Sequence, residues 1–136
     1  VPLKQGHVIL LYWRISIGIL FFFYIRNKIM TDKVAFTMKL KPNVIDEYKR
    51  RHDEIWPELV NLIRENGISD YSIFLDEPSL TLFAVQKVSS TTNSSNVKLR
   101  ENEIMKRWWA YMADLMETND DKSPVTHSLQ LVFHMD

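Results

Sequence analysis

The chain has 136 residues, 46% of them apolar and 25% charged, which is enough for one ordinary domain around one core. Its 17 basic and 17 acidic side chains balance, so it carries no electrostatic footprint for nucleic acid. There is no cysteine, which excludes disulfides, thiolate zinc sites and thiol nucleophiles.

The even balance hides a division. Residues 1–30 contain Lys4, Arg14, Arg26 and Lys28 but no acidic residue; every Asp and Glu lies in residues 31–136. Residues 8–25 form an apolar stretch broken by Arg14. A membrane-spanning helix needs about 20 predominantly apolar residues, so the length is borderline and the arginine counts against it. A secretory signal would end in small residues where Arg26-Asn27-Lys28 stands. Three readings stay open: non-native sequence ahead of a start at Met30, a membrane anchor, or a native extra helix. Each places residues 1–30 outside the core, as an apolar extension, and the chemistry in a domain over residues 31–136.

From Lys33 the pattern becomes regular. Val34, Phe36, Met38 and Leu40 alternate on one face of a strand over residues 33–40. Lys41-Pro42-Asn43 makes a turn, with Asn43 expected as the N-cap of a helix over residues 44–66. Ile45, Tyr48, His52, Ile55, Leu59, Leu62 and Ile63 form its apolar stripe. Pro57 must kink or restart that helix, and Gly67 ends it. Residues 70–75 and 80–88 read as strands joined by the turn Asp76-Glu77-Pro78-Ser79.

Residues 89–96 are all Ser, Thr or Asn and predict an exposed loop. A second amphipathic helix follows over about residues 101–116, then a polar loop over residues 117–126. A last strand is expected over residues 127–134, where Leu129, Leu131 and Phe133 alternate. The order β-α-β-β-α-β predicts an α+β, ferredoxin-like domain: a four-stranded antiparallel sheet with two helices on one face. Apolar residues on both strand faces (Ala35 beside Phe36, Phe83 beside Ala84) predict that the other face pairs with a second copy.

His52 is the leading chemical candidate, because imidazole gives and takes protons near neutral pH, with Tyr48 one turn earlier on the same face. Spacing alone is equally met by a core histidine held by a hydrogen bond. Trp108 and Trp109 point about 100° apart on one helix, so both cannot enter the same core, and at least one should line a cleft or an interface. Indoles stack on the C–H faces of sugars and donate to their hydroxyls, although core filling or a dimer contact fits them too. Tyr71 is ambiguous by itself, since strand tyrosines are usually structural. Asp120-Asp121 reads as solvated loop, and His7, His127 and His134 show no metal-ligand spacing. With three glycines in the chain there is no phosphate loop and no serine elbow.

Residues 33–136 resemble the L-rhamnose mutarotase family over nearly their whole length. The resemblance rests on Tyr48-Lys49-Arg50-Arg51-His52 leading to Ile55-Trp56-Pro57-Glu58-Leu59, on Tyr71 with Leu75-Asp76, and on Leu82-Phe83-Ala84. Arg107-Trp108-Trp109 with Tyr111-Met112, and Ser123-Pro124, extend it. It implies a cytoplasmic isomerase of dimeric α/β barrel type that needs no cofactor and no metal and interconverts the anomers of L-rhamnose. It implies His52 as the proton donor and acceptor, with Tyr48, Tyr71, Trp108 and Trp109 binding the sugar. Residues 1–29 have no counterpart in the family, and residues 89–103 look longer and more polar than its usual stretch. Two other readings of the same fold are a cofactor-free or haem-binding monooxygenase and a non-catalytic sugar-binding module.

Overall fold

The computed structural model describes residues 31–89 and 95–135. The readings made for residues 1–30, and those for Ser90 to Ser94, lie outside these residues.

β1 (Thr31–Lys39), with its alternating side chains, is one of the two inner strands of the sheet. A turn through Asn43, held at φ 63°, leads into α1 (Ile45–Asp53). Asn43 is not the N-cap expected of it. Val44 takes that position without a side-chain hydrogen bond, because Asn43 is spent on the left-handed turn one residue earlier. The long helix then breaks where Pro57 required it to. Trp56 is extended and Pro57 is the first residue of α2 (Pro57–Glu65), the position at which a missing N–H costs nothing. Asn66 closes α2 by donating from Nδ2 to the Leu62 carbonyl at 2.8 Å, and Gly67 at φ 75° turns the chain into β2 (Ile68–Asp76).

A tight turn through Leu80 returns the chain along β3 (Thr81–Ser89). Two helices follow, α3 (Ser95–Glu101) and α4 (Glu103–Met112), separated by Asn102, whose side chain accepts from the Ile104 N–H at 2.9 Å. The expected loop over residues 89–96 is therefore shorter at its far end, and the expected second helix stops at Met112. The chain leaves the helix there to pair with the end of β1: Lys41 N–H donates to the Leu115 carbonyl at 2.9 Å and Glu117 N–H to the Lys39 carbonyl at 3.0 Å. Leu115 and Met116 are still buried, but by that crossing rather than by a helical face.

The last strand, β4 (His127–Leu129), is also shorter than expected. It pairs with β1 only opposite Thr37, Phe36 and Ala35, and the apolar side chains after it stand out in solvent, Val132 at 88% exposure.

All pairings are antiparallel in the order β2-β3-β1-β4, the ferredoxin-like arrangement. Met38, Leu82 and Ala84 on one sheet face pack with Leu59, Met105, Trp108 and Met112 from the helices, and Leu59 is 1% exposed at the centre. The other face is left to solvent: Phe74, opposite Phe83, is 63% exposed. Among the described residues, no helix is long and apolar enough to cross a membrane.

Candidate active site

Between the sheet and α1, α2 and α4 lies a cavity of about 550 Å³, within the size range of small-molecule sites. Its floor is apolar, made of Met38, Leu82 and Ile73 from the strands and Met105, Met112 and Met116 from the far side. Every site residue expected from the sequence reaches it: Tyr48 and His52 from α1, Tyr71 from β2, Trp108 and Trp109 from α4.

Tyr48 and His52 meet because they are four residues apart on one helix, their ring centroids 4.3 Å apart. The Tyr48 carbonyl lies 3.1 Å from His52 Nδ1. A carbonyl can only accept, so Nδ1 carries the hydrogen and the Nε2 lone pair is left for a ligand. Burial lowers the His52 pKa below its ordinary 6.5, opposed in part by that same hydrogen bond, so the ring is neutral at physiological pH.

Tyr71 reaches the cavity through a break in the sheet. Ile68 faces the core, and with strict alternation Tyr71 would face away from it. A bulge between Ser69 and Ser72, with Asp70 at φ 47°, inserts one residue, so that Tyr71, Ile73 and Leu75 all face the cavity. Lys87 holds Asp70 at 2.9 Å. Tyr71 is 41% exposed, yet protein surrounds it closely enough that burial pushes its phenol up to about 12. Burial also pushes the Tyr48 phenol well above its ordinary range, and the neighbouring Tyr71 adds to the effect. Both phenols are therefore protonated at neutral pH and can act as donors.

The two indoles divide their work. Trp108 is buried, with its ring edge-on to His52 at 5.3 Å and to Trp56 at 5.3 Å. Trp109 is half-buried and lies under the Arg100 guanidinium at 5.2 Å. Both line the cavity, so the angle between neighbouring helical residues is met by wrapping the pocket around one side of α4.

Several lining residues went unassigned in the sequence. Lys49 and Asp53 each follow a site residue by one position, and that neighbouring stripe was the only local signal for them. Thr118, Lys122 and Pro124 also line the cavity, from a loop that looked merely polar. That loop is built. Ser123 is fully buried, its Oγ donating to Asp121 at 2.5 Å and accepting from Asn119 Nδ2 at 3.0 Å. Asp121 is thus bound into a turn, its carboxylate accepting from both the N–H and the hydroxyl of Ser123. Among the described residues, no group of three His, Cys, Asp or Glu lies close enough to hold a metal ion.

The arrangement offers a neutral imidazole, two phenols and two indoles around an apolar cavity, a set that can hold a small polyol and move its protons. A profile of the L-rhamnose mutarotase family matches residues 33–135. An L-rhamnose mutarotase of Brucella anthropi is 53% identical over 104 residues, covering 76% of this chain and 96% of that protein. One of Flavobacterium johnsoniae is 56% identical over 102 residues, covering 75% of this chain and 94% of the relative. The crystal structure of the L-rhamnose mutarotase of Formosa agariphila superposes with a TM-score of 0.71 at 50% identity, over 77% of this chain and 99% of that one. With a family profile spanning most of its length and relatives of about half identity covered almost end to end, the chain belongs to the L-rhamnose mutarotase family.

Proposed function

We infer that the protein is an isomerase that interconverts the α and β anomers of L-rhamnopyranose. Its family membership supports the reaction, and one observation carries the mechanism: His52 lines a cavity walled by indoles and phenols, with Nδ1 tied to the Tyr48 carbonyl so that Nε2 keeps its lone pair.

Ring opening moves one proton from the anomeric hydroxyl to the ring oxygen, breaking the bond between that oxygen and C1. In this reading neutral Nε2 accepts the hydroxyl proton while a phenol of Tyr48 or Tyr71 donates to the ring oxygen. The free aldehyde turns about C1–C2, held by Trp108 and Trp109, and recloses on its other face. The imidazolium then returns its proton to the new anomeric oxygen, and the ring hydroxyl returns one to the phenolate. Atoms and charges balance over the cycle, with His52 serving as acceptor and then donor. Such assistance is worth on the order of 100- to 10,000-fold.

The test is anomer exchange followed by saturation-transfer NMR. Wild type should speed exchange of L-rhamnose, and His52→Ala should lose most of that acceleration while keeping its fold. Unchanged exchange in the folded variant rejects His52, and sugar binding without exchange by wild type would select the non-catalytic module.

Three further readings go with this one. Residues 31–136 form the catalytic domain, with residues 1–30 outside it; the family match over residues 33–135 supports that boundary. The protein acts as a homodimer of barrel type, supported by the exposed Phe74 and Phe83 on the open sheet face and by the apolar side chains beyond β4. Phe74→Glu should shift the sedimentation equilibrium to monomer if that face is the contact. It works in the cytoplasm, which fractionation of the native host would check.

A further inference from the structure

The proposed site is assembled from two helices, α1 carrying Tyr48 and His52 and α4 carrying both tryptophans. We propose that Arg51 is a positioning residue that locks the last turn of α1 to the end of α4 and so sets the separation of imidazole and indole. This rests on the reading of His52 given above.

Arg51 follows the same helix as His52 but points about 100° away from it, out of the cavity. Its side chain is only 12% exposed for all its charge. Its Nη1 and Nη2 donate to the two carboxylate oxygens of Asp114, at 2.7 and 3.1 Å, and Nη1 also donates to the Tyr111 carbonyl. Nε donates to Glu47 one turn back at 2.7 Å, which anchors the guanidinium on its own helix.

Tyr111 lies in the last turn of α4, where carbonyls lack helical partners and carry the negative end of the helix dipole, so a cation suits that place. The guanidinium also stacks over the Tyr111 ring at 4.5 Å. From there the contacts close a circuit back to the site: Tyr111 to Trp108 at 5.8 Å, and Trp108 to His52 at 5.3 Å. One planar fork thus engages a carboxylate, a carbonyl and an aromatic face together. Lysine carries the same charge but cannot satisfy all three, because its ammonium is a single point without a plane.

Lys106 provides the contrast. It pairs at 3.0 Å with Glu103 on its own helix, and both side chains are exposed.

The test compares Arg51→Lys, the isosteric Asp114→Asn, and Lys106→Ala, each assayed well below its own melting temperature. Three quantities are read: anomer exchange rate, L-rhamnose affinity by titration, and the His52 ring NMR shifts with their pH titration. Arg51→Lys and Asp114→Asn should lose on the order of 10- to 100-fold in exchange rate, because misplacement by about 1 Å is that costly. Affinity should change by less than about threefold, so the loss falls on kcat rather than KM. Their His52 signals should move away from the wild-type shifts, while Lys106→Ala should leave all three readouts in place.

A folded Arg51→Lys or Asp114→Asn with wild-type rate and wild-type His52 signals overturns the proposal. So does a lost rate with unmoved His52 signals, which would mean a direct role. If Arg51→Lys fails to fold, Asp114→Asn decides. If wild type itself shows no anomer exchange, the mutarotase reading fails, and the His52 shifts still judge the clamp.

Discussion

The His52 imidazole and the Trp108 indole meet edge to face, their centroids 5.3 Å apart and their planes at 88°. The contact joins residues 56 positions apart in sequence, and it sits where the helix that would move protons touches the helix that would hold the sugar. Burial against that indole and against Tyr48 keeps the imidazole neutral, which fixes how activity and stability respond to pH.

The folded-state pKa of His52 lies below 6.5, its ordinary value. Between the two values the unfolded chain binds a proton that the folded chain does not, so stability rises with pH across that window. The contribution is fully present above pH 6.5 and declines as pH falls from there through the folded value. Denaturant melts of wild type and His52→Gln should diverge below pH 6.5, wild type showing the steeper loss. The base limb of kcat/KM should lie below 6.5 as well. A limb above 7 would contradict the burial argument.

The tryptophans should separate by kind of loss. Trp108, buried against three rings, should cost about 3–5 kcal/mol of stability as Trp108→Ala, near the usual figure for a core aromatic. Trp109 is half-buried, so Trp109→Ala should cost clearly less in a thermal melt and show its main effect as weakened L-rhamnose binding. Equal melting losses with equal affinity would mean that Trp109 does not face the sugar.

Asp70 tests the bulge. At φ 47° a residue without a locally bonding side chain is strained, whereas glycine is not. Asp70→Gly should therefore retain exchange activity, while Asp70→Val should lower the melting temperature. Deleting Asp70 removes the extra residue and leaves Tyr71 two positions after Ile68, so Tyr71, Ile73 and Leu75 should keep the inner face and exchange activity should survive. Loss of exchange in a deletion variant that still folds would contradict this account of the bulge.

Ser123→Ala removes a fully buried hydroxyl that serves both Asp121 and Asn119. The expected cost is about 1–2 kcal/mol for the lost hydroxyl bonds, Asn119 keeping only its longer bonds of 3.4 Å to the Ser123 and Pro124 carbonyls. Because Thr118, Lys122 and Pro124 line the cavity, KM should rise with it. Unaltered KM in a destabilised variant would confine the loop to a structural role.

The sequence by itself determined the order of the four strands, the break before Pro57 and the inner face of β1, because each follows from period-2 or period-3.6 spacing and from the missing N–H of proline. It also placed Tyr48 and His52 together, since they share one helix. It did not give α3, which begins in the polar run. Its errors fall where a local choice depended on distant chain. Asn43 was taken up by a turn, the second helix ended early to pair with β1, and β4 pairs with β1 over three residues only, although β1 continues to Thr31.

Tertiary structure alone decided the rest. A bulge at Asp70, set by the register against β3, turned Tyr71 inward; the loop around Ser123 reached the cavity from a stretch with no apolar pattern. Arg51 found Asp114 across 63 residues. Periodicity records which face of an element is buried, but not which residue of another element will stand opposite, because that depends on how whole helices and strands pack around one core.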